Sequence, residues 1–170
     1  MRRTAKPLGS RIKSPDLIRR TMIAPCGMNC ALCIGFLREN NRCCGCVHGG
    51  ASTPNYIRKC IIRNCEKLKE ARRQYCFDCD TYPCKRLKNL DKRYRTKYGM
   101  CMIENLESIR KSGIRRFVRD EKERWICRQC GGIVSVHRSE CLFCDREKSP
   151  EQLQFKPDLH AKTQGSRTQN

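Results

Sequence analysis

The chain has 170 residues, a formal net charge of +20 and 16 cysteines. Hydrophobic residues make up 38% of it, but cysteine supplies about a quarter of them, so the aliphatic core is thin, and thin cores are usually held by disulfides or metals. No run approaches the ~20 apolar residues of a membrane span. The first 21 residues also lack the apolar region of a signal peptide. We therefore expect a cytoplasmic protein with no membrane partner, whose cysteines bind metal rather than form disulfides.

The first 21 residues carry seven Lys/Arg and one Asp, and Pro7, Gly9 and Pro15 interrupt any helix. This composition predicts a disordered basic extension over residues 1–21. The folded part is then expected to begin at Met22.

Residues 22–90 are predicted to form a cysteine-rich metal-binding domain, because their cysteines recur at the short spacings of metal ligands. Ten candidate ligands lie in this N-terminal field: Cys26, Cys30, Cys33, Cys43, Cys46, Cys60, Cys65, Cys76, Cys79 and Cys84. Ten thiolates suit two four-thiolate sites with two left over, and His48 is a further candidate. The spacing leaves their partition open.

Two cysteines have no assigned role. Cys44 interrupts a CxxC pair, and Cys101 stands near a predicted helix start, where the pKa of a thiol can fall. Each is a candidate reactive thiol, although simple packing is the favoured interpretation.

The metal in the N-terminal field is open between two chemistries. Zinc in four-thiolate sites is favoured, and cysteine triplets also suit an iron–sulfur cluster. A zinc ion with four thiolates carries a net charge of −2, so three such sites would leave the chain at about +14. The protein remains basic enough to attract nucleic acid or another polyanion.

Residues 91–124 are predicted to be a helical connector, preceded by a helix that starts near Lys85. Leu87, Leu90, Tyr94 and Tyr98 recur at helical spacing, and Gly99 is expected to end that helix. Met102, Leu106 and Ile109 indicate a second helix that ends at Ser112 and Gly113, and Ile114 begins a third.

The first of these helices is strongly basic, with seven Lys/Arg and one Asp between Lys85 and Lys97. Helical spacing places Lys85, Lys88, Lys92 and Arg95 on one face. This face is a candidate for non-specific phosphate contacts. The alternative, which we favour slightly, is a solvated face whose tyrosines pack inward.

Residues 125–148 are predicted to form a zinc ribbon. Its four ligands are the two CxxC pairs Cys127, Cys130, Cys141 and Cys144. We expect the backbone N–H groups of each pair to point at the thiolates, Gly131 and Gly132 to let the first turn close, and residues 133–138 to form a hairpin arm. Four thiolates leave no open position, so the site is structural and His137 is a surface or packing residue. A disordered tail is predicted over residues 149–170.

The strings MIAPCGMNCALC, CCGC, CIIRNC and YCFDCDTYPCKRL occur in that order. This order resembles the bacterial and archaeal domain-of-unknown-function family 3795, over about residues 22–90, with the C-terminal ribbon as an extension. The resemblance implies a cysteine-rich, zinc-binding domain and transfers no catalytic residue. Members often have a further cysteine where this chain has Ile57.

Together these patterns predict a small α+β fold that bound metal holds together. It consists of a cysteine-rich N-terminal domain, a helical connector and a C-terminal zinc ribbon. No hydrolase, nucleotide-binding or metalloprotease motif is present in the sequence, so we favour a non-enzymatic binding or regulatory module over an enzyme. Zinc is the expected cofactor, and nucleic acid or another polyanion is the expected partner. The alternative is an iron–sulfur redox or electron-transfer protein.

Overall fold

The computed structural model describes residues 14–48, 53–70 and 74–153. About half of this part of the chain is helical. The α-helices are α1 (Ile34–Leu37), α2 (Asn55–Arg58), α3 (Glu66–Glu70), α4 (Lys85–Tyr98), α5 (Met102–Ser112), α6 (Ile114–Trp125) and α7 (Pro150–Leu153). Short 3-10 turns span Pro15–Leu17, Arg20–Met22, Cys30–Leu32 and Cys76–Asp78.

Helix α4 follows the predicted apolar stripe. Leu87 is buried, and Leu90, Tyr94 and Tyr98 pack against the core. The helix ends at Gly99, whose φ of 63° lies in the left-handed region that favours glycine. The predicted helix and its end are confirmed, but the division predicted at residues 90–91 falls within α4.

Helix α5 packs against both α4 and α6. Met102, Leu106 and Ile109 are all buried along its inner face, as their spacing predicts. Gly113, with a φ of 81°, separates α5 from α6. The three long helices therefore form the scaffold that carries the two cysteine-rich ends.

The N-terminal field is fastened to α5 by a close backbone approach at Gly27. A Cβ built on this glycine would lie 2.6 Å from the carbonyl oxygen of Met102, so a larger residue does not fit. Asn105 Nδ2 also donates to the carbonyl oxygen of Gly27, at 2.9 Å. Packing on α5 thus explains why Gly27 follows Cys26, the first cysteine of the N-terminal field.

A buried carboxylate joins the N-terminal field to α6. Glu121 accepts a hydrogen bond from Asn29 Nδ2 and a second from Trp125 Nε1, both at 3.1 Å. Burial raises the pKa of Glu121, whereas these two donors favour its charged form. These two hydrogen bonds fix α6 against the turn that contains Cys30.

The residues nearest the core in both predicted disordered ends pack against the fold. Ile18 is fully buried within the core, and Lys122 pairs with Asp16 at 3.3 Å. At the other end, α7 packs on α6, and the buried Gln152 donates from Nε2 to the carbonyl oxygen of Arg124. Residues 1–13 and 154–170 of these two predictions lie outside the described residues.

The predicted hairpin arm over residues 133–138 is wrong. Of the predicted α+β class, only the helical part is present in the described residues. Within the described ranges no strand forms, only the single bridges Ile23–Asn29, Ile126–Ile133 and Glu140–Glu147. The reason is that the N–H of Val136 donates to the carbonyl oxygen of Leu32, at 2.9 Å, rather than to a neighbouring strand.

Replacement of Ile18 tests whether the segment before Met22 belongs to the fold. Ile18→Ala should cost about 2–4 kcal/mol because it leaves a cavity in the core, which corresponds to a fall in melting temperature of roughly 5–15 °C. Thermal unfolding followed by circular dichroism, with metal in excess, measures it. Arg19→Ala, at an exposed neighbouring position, is the control. Equal melting temperatures for Ile18→Ala and the wild type would contradict the packing described.

Candidate metal centre

The four cysteines of the C-terminal module converge at one point. The sulfur atoms of Cys127, Cys130, Cys141 and Cys144 all lie within 4.8 Å of one another. The Cys127–Cys144 sulfur pair is 3.7 Å apart and the Cys130–Cys141 pair 3.6 Å apart. Four sulfurs placed 2.3 Å from a tetrahedral zinc ion would be about 3.8 Å apart. The tetrad therefore has the spacing that a single four-thiolate metal ion needs.

Each CxxC pair of the tetrad lies on a tight turn of the same form. The N–H of Gly131 donates to the carbonyl oxygen of Cys127 at 2.8 Å, and the N–H of Asp145 donates to that of Cys141 at 3.0 Å. Gly131 and Asp145 both have positive φ, 68° and 55°. The role predicted for Gly131 in closing the first turn is confirmed, and Asp145 occupies the matching position in the second.

The two turns repeat along the sequence at a spacing of fourteen residues. The N–H of Cys127 donates to the carbonyl oxygen of Gly132, and the N–H of Cys141 donates in the same way to that of Arg146. The bridges Ile126–Ile133 and Glu140–Glu147 flank the two turns at the same spacing. Sequence reasoning missed this duplication, although alignment of ICRQCGGI with ECLFCDRE would have revealed it.

Backbone N–H groups point at the thiols, as predicted for these turns. Burial by itself would raise the pKa of Cys127, but the N–H groups of Cys130 and Gln129 and the neighbouring thiols lower it to about 7. Burial raises the pKa of Cys141 to about 12 even though the N–H groups of Phe143 and Cys144 act against it.

The C-terminal module is docked on the N-terminal field beside Cys33. The carbonyl oxygen of Leu32 accepts from the N–H of Val136 and, at 3.0 Å, from the hydroxyl of Ser135. His137 Nδ1 accepts from the N–H of Ile34 at 3.4 Å. These contacts tie residues 134–137 to the turn that carries Cys30 and Cys33.

His137 is a packing residue, as predicted. Its ring makes edge contacts with the rings of Tyr94 and Tyr98, with centroid separations of 5.6 and 4.6 Å. Its Nε2 lies 3.3 Å from the hydroxyl of Tyr94. The two tyrosines that the sequence places on the inner face of α4 therefore pack against the C-terminal module.

The ten thiols of the N-terminal field are near one another but more loosely gathered. Among the described residues, only the C-terminal tetrad has three or more ligand atoms within 4.8 Å of one another. The N–H of Cys46 donates to Cys30 Sγ at 3.3 Å, and that of Gly45 donates to Cys43 Sγ at 3.4 Å. Burial and the neighbouring thiols of Cys43 and Cys46 raise the pKa of Cys33. The CxxC pairs Cys30–Cys33 and Cys43–Cys46 therefore face each other.

Cys101 belongs to a buried polar cluster that joins α4 to α5. Its thiol is 1% exposed and donates to Asp91 Oδ1 at 3.0 Å, and it accepts from the N–H of Glu104 at 3.4 Å. Burial and then Asp91 raise the pKa of Cys101 to about 12. A reactive thiol at this position is therefore disfavoured, and the thiol serves as the cap of α5.

Cys44 contacts the loop that contains His48. Its Sγ donates to the carbonyl oxygen of His48 at 2.9 Å and lies 3.5 Å from the hydroxyl of Thr53. The side chain of His48 is exposed. In the described part of the chain, neither residue joins a group of metal-ligand spacing.

The predicted basic face of α4 is divided by the structure. Lys85, Lys88 and Lys92 are exposed. Arg95 instead pairs with Asp91 at 3.1 Å and Glu104 at 3.6 Å, and donates to Cys101 Sγ at 2.8 Å. The first three lysines are available to a ligand, whereas Arg95 is used within the fold.

Comparisons with known proteins add no relative: no family model, no curated protein and no solved structure matches this chain. No helix in the described ranges combines the length and apolar character that crossing a membrane requires. The resemblance to family 3795 stays a prediction.

The packing of His137 predicts its titration. Burial and then the charge of Lys148 lower the pKa of His137 below its usual 6.5. Because the folded state binds the proton less readily than the unfolded state does, this histidine's contribution to stability is complete above pH 6.5 and is lost as the pH falls.

Histidine NMR over pH 7.5 to 4.5 measures this, with the resonance assigned through His137→Gln. The imidazole of His137 should stay neutral below pH 6.5. A midpoint for His137 above 6.5 would show that the imidazole is not packed as described.

Proposed function

We propose that the chain is a zinc-binding protein whose C-terminal tetrad holds one zinc ion in a closed site of the zinc-ribbon type. The convergence of four sulfurs at tetrahedral spacing carries this proposal. The donor set fits zinc, because soft thiolate ligands without water are typical of structural zinc. With no vertex open to substrate, the ion would stabilise the fold rather than perform chemistry.

Further zinc in the N-terminal field is part of the same proposal. Its ten cysteines supply enough ligands for two more four-thiolate sites, in keeping with the resemblance to family 3795. An iron–sulfur cluster in this field, with a redox or electron-transfer role, is the alternative. The thiols of Cys30, Cys33, Cys43 and Cys46, which lie in facing pairs, are consistent with either chemistry.

Metal analysis separates the two chemistries. We expect protein purified without oxygen to be colourless, free of iron and to contain zinc, and Cys141→Ser to lose about one zinc per chain because the remaining three thiolates hold it weakly. Elemental analysis by mass spectrometry measures both. Cys44→Ser, at a thiol outside the tetrad, is the control and should retain all its zinc. A brown protein with two or more irons per chain would establish the alternative.

We further propose that the protein is a non-enzymatic, cytoplasmic module that binds a polyanion such as nucleic acid. The support comes from α4: Asp91, its single acidic residue, is buried and turned towards Cys101 and Arg95. The exposed surface of α4 therefore has no acidic residue, and Lys85, Lys88 and Lys92 lie on it. Such a face makes phosphate contacts without reading a sequence.

Charge removal on α4 tests this second part. The triple variant Lys85→Gln, Lys88→Gln, Lys92→Gln should bind double-stranded DNA or RNA roughly tenfold or more weakly at low salt and reduce the salt slope by about 2–3. Fluorescence anisotropy over a range of salt concentrations measures both. The matched control removes three exposed arginines from α6, Arg115, Arg116 and Arg119, two of which face Asp120. An equal loss in both triple variants, or no binding by the wild type at low salt, would contradict the proposed interface.

A further inference from the structure

We propose that Cys65, Cys76, Cys79 and Cys84 form a second four-thiolate zinc site, which divides the N-terminal field at a definite point. All four cysteines line one small cavity of about 40 Å³. This inference extends the proposal that the chain is a zinc protein and assigns ligands that the sequence spacing leaves open.

The cavity has the walls that a structural metal site needs. Apart from the cysteines, it is bounded by apolar side chains that include Ile62, Leu68 and Leu87, all of them buried. An apolar surround keeps water from competing with the thiolates. Lys67 and Arg86 also line it, and their positive charges oppose the net charge of −2 that zinc and four thiolates carry.

Three structural elements present the four thiols. Cys65 immediately precedes α3, and Cys84 is the residue from which α4 begins. Cys76 and Cys79 lie on a 3-10 turn, in which the N–H of Cys79 donates to the carbonyl oxygen of Cys76 at 3.1 Å. The ligands would thus connect α3, this turn and α4.

Cys26 and Cys60 are the competing ligands. The N–H of Cys76 donates to the carbonyl oxygen of Pro25 at 2.9 Å, so Cys26 lies close by. Neither Cys26 nor Cys60 lines the cavity, however. We therefore place Cys26 and Cys60 outside this site.

The sulfur atoms of the C-terminal tetrad all lie within 4.8 Å of one another, and no other group of three or more ligand atoms in the described residues is as close. The four sulfurs of the proposed site are therefore farther apart than those of the tetrad. Metal binding must therefore draw the turn and the starts of α3 and α4 inwards onto the cavity. The 3-10 turn spans only three residues, Cys76–Asp78, so it can shift while α4 stays helical.

Cadmium-113 NMR of the full-length, cadmium-loaded chain tests the assignment, because each bound ion gives its own resonance. One resonance should shift or vanish in each of the four single variants Cys65→Ser, Cys76→Ser, Cys79→Ser and Cys84→Ser, while the others stay in place and show that the fold persists. Zinc analysis should show the loss of about one ion per chain in the same variants.

The control variants are Cys26→Ser and Cys60→Ser, which should leave this resonance and its zinc unchanged. Its loss in either control, or its persistence in any of the four ligand variants, would overturn the assignment. Cys141→Ser reports separately on the C-terminal tetrad. If Cys141→Ser loses no resonance while each of the four ligand variants does, the zinc ribbon is refuted and this inference stands.

Discussion

The convergence of the four C-terminal sulfurs organises much of what surrounds it. Cys127 directly follows Ile126 at the end of α6, and the turns around the sulfurs place Ile133, Val134 and Val136 in the core. The next residues then reach the carbonyl oxygen of Leu32 in the N-terminal field. Without a cation among them, four thiolates at this spacing would repel one another strongly. A metal ion at this point would convert that repulsion into a crosslink between the two CxxC turns.

Buried polar groups connect segments that the thin aliphatic core alone does not hold together. Glu121 connects α6 to Asn29, and Asp91 connects α4 to Cys101 and the start of α5. Although burial acts against it, hydrogen bonds from Cys101 and the N–H of Ile103, together with Arg95, hold the pKa of Asp91 below its usual range. Because Asp91 is buried in this way, the only acidic residue of α4 is absent from its solvent-exposed surface.

Features that depend on local spacing were predictable from the sequence. The apolar stripe of α4 and the buried face of α5 follow from helical periodicity, and the tetrad follows from two CxxC pairs. Both depend on residues a few positions apart. Gly99 and Gly113 are predictable for the same reason, since a helix end that adopts positive φ favours glycine.

Features that depend on distant contacts could not be read from the sequence. Ile18 packs in the core although it lies in a strongly basic segment, and the N–H groups of Val134 and Val136 donate to Trp125 and Leu32 rather than to a strand. Arg95 belongs to the basic stripe by spacing, but its partners Asp91, Cys101 and Glu104 meet only in the folded chain. The partition of the N-terminal thiols has the same origin, because it depends on which short segments face one cavity.

The most direct test of the central claim is the fluorescence of Trp125 during metal removal. Trp125 is the only tryptophan of the chain, is fully buried and lies two residues before Cys127. If metal bound by thiolates replaces the missing core, removal of zinc by a chelator under reducing conditions should shift its emission to that of an exposed indole. Re-addition of zinc should then restore the original spectrum. An unchanged emission spectrum after elemental analysis has shown complete loss of metal would contradict the account.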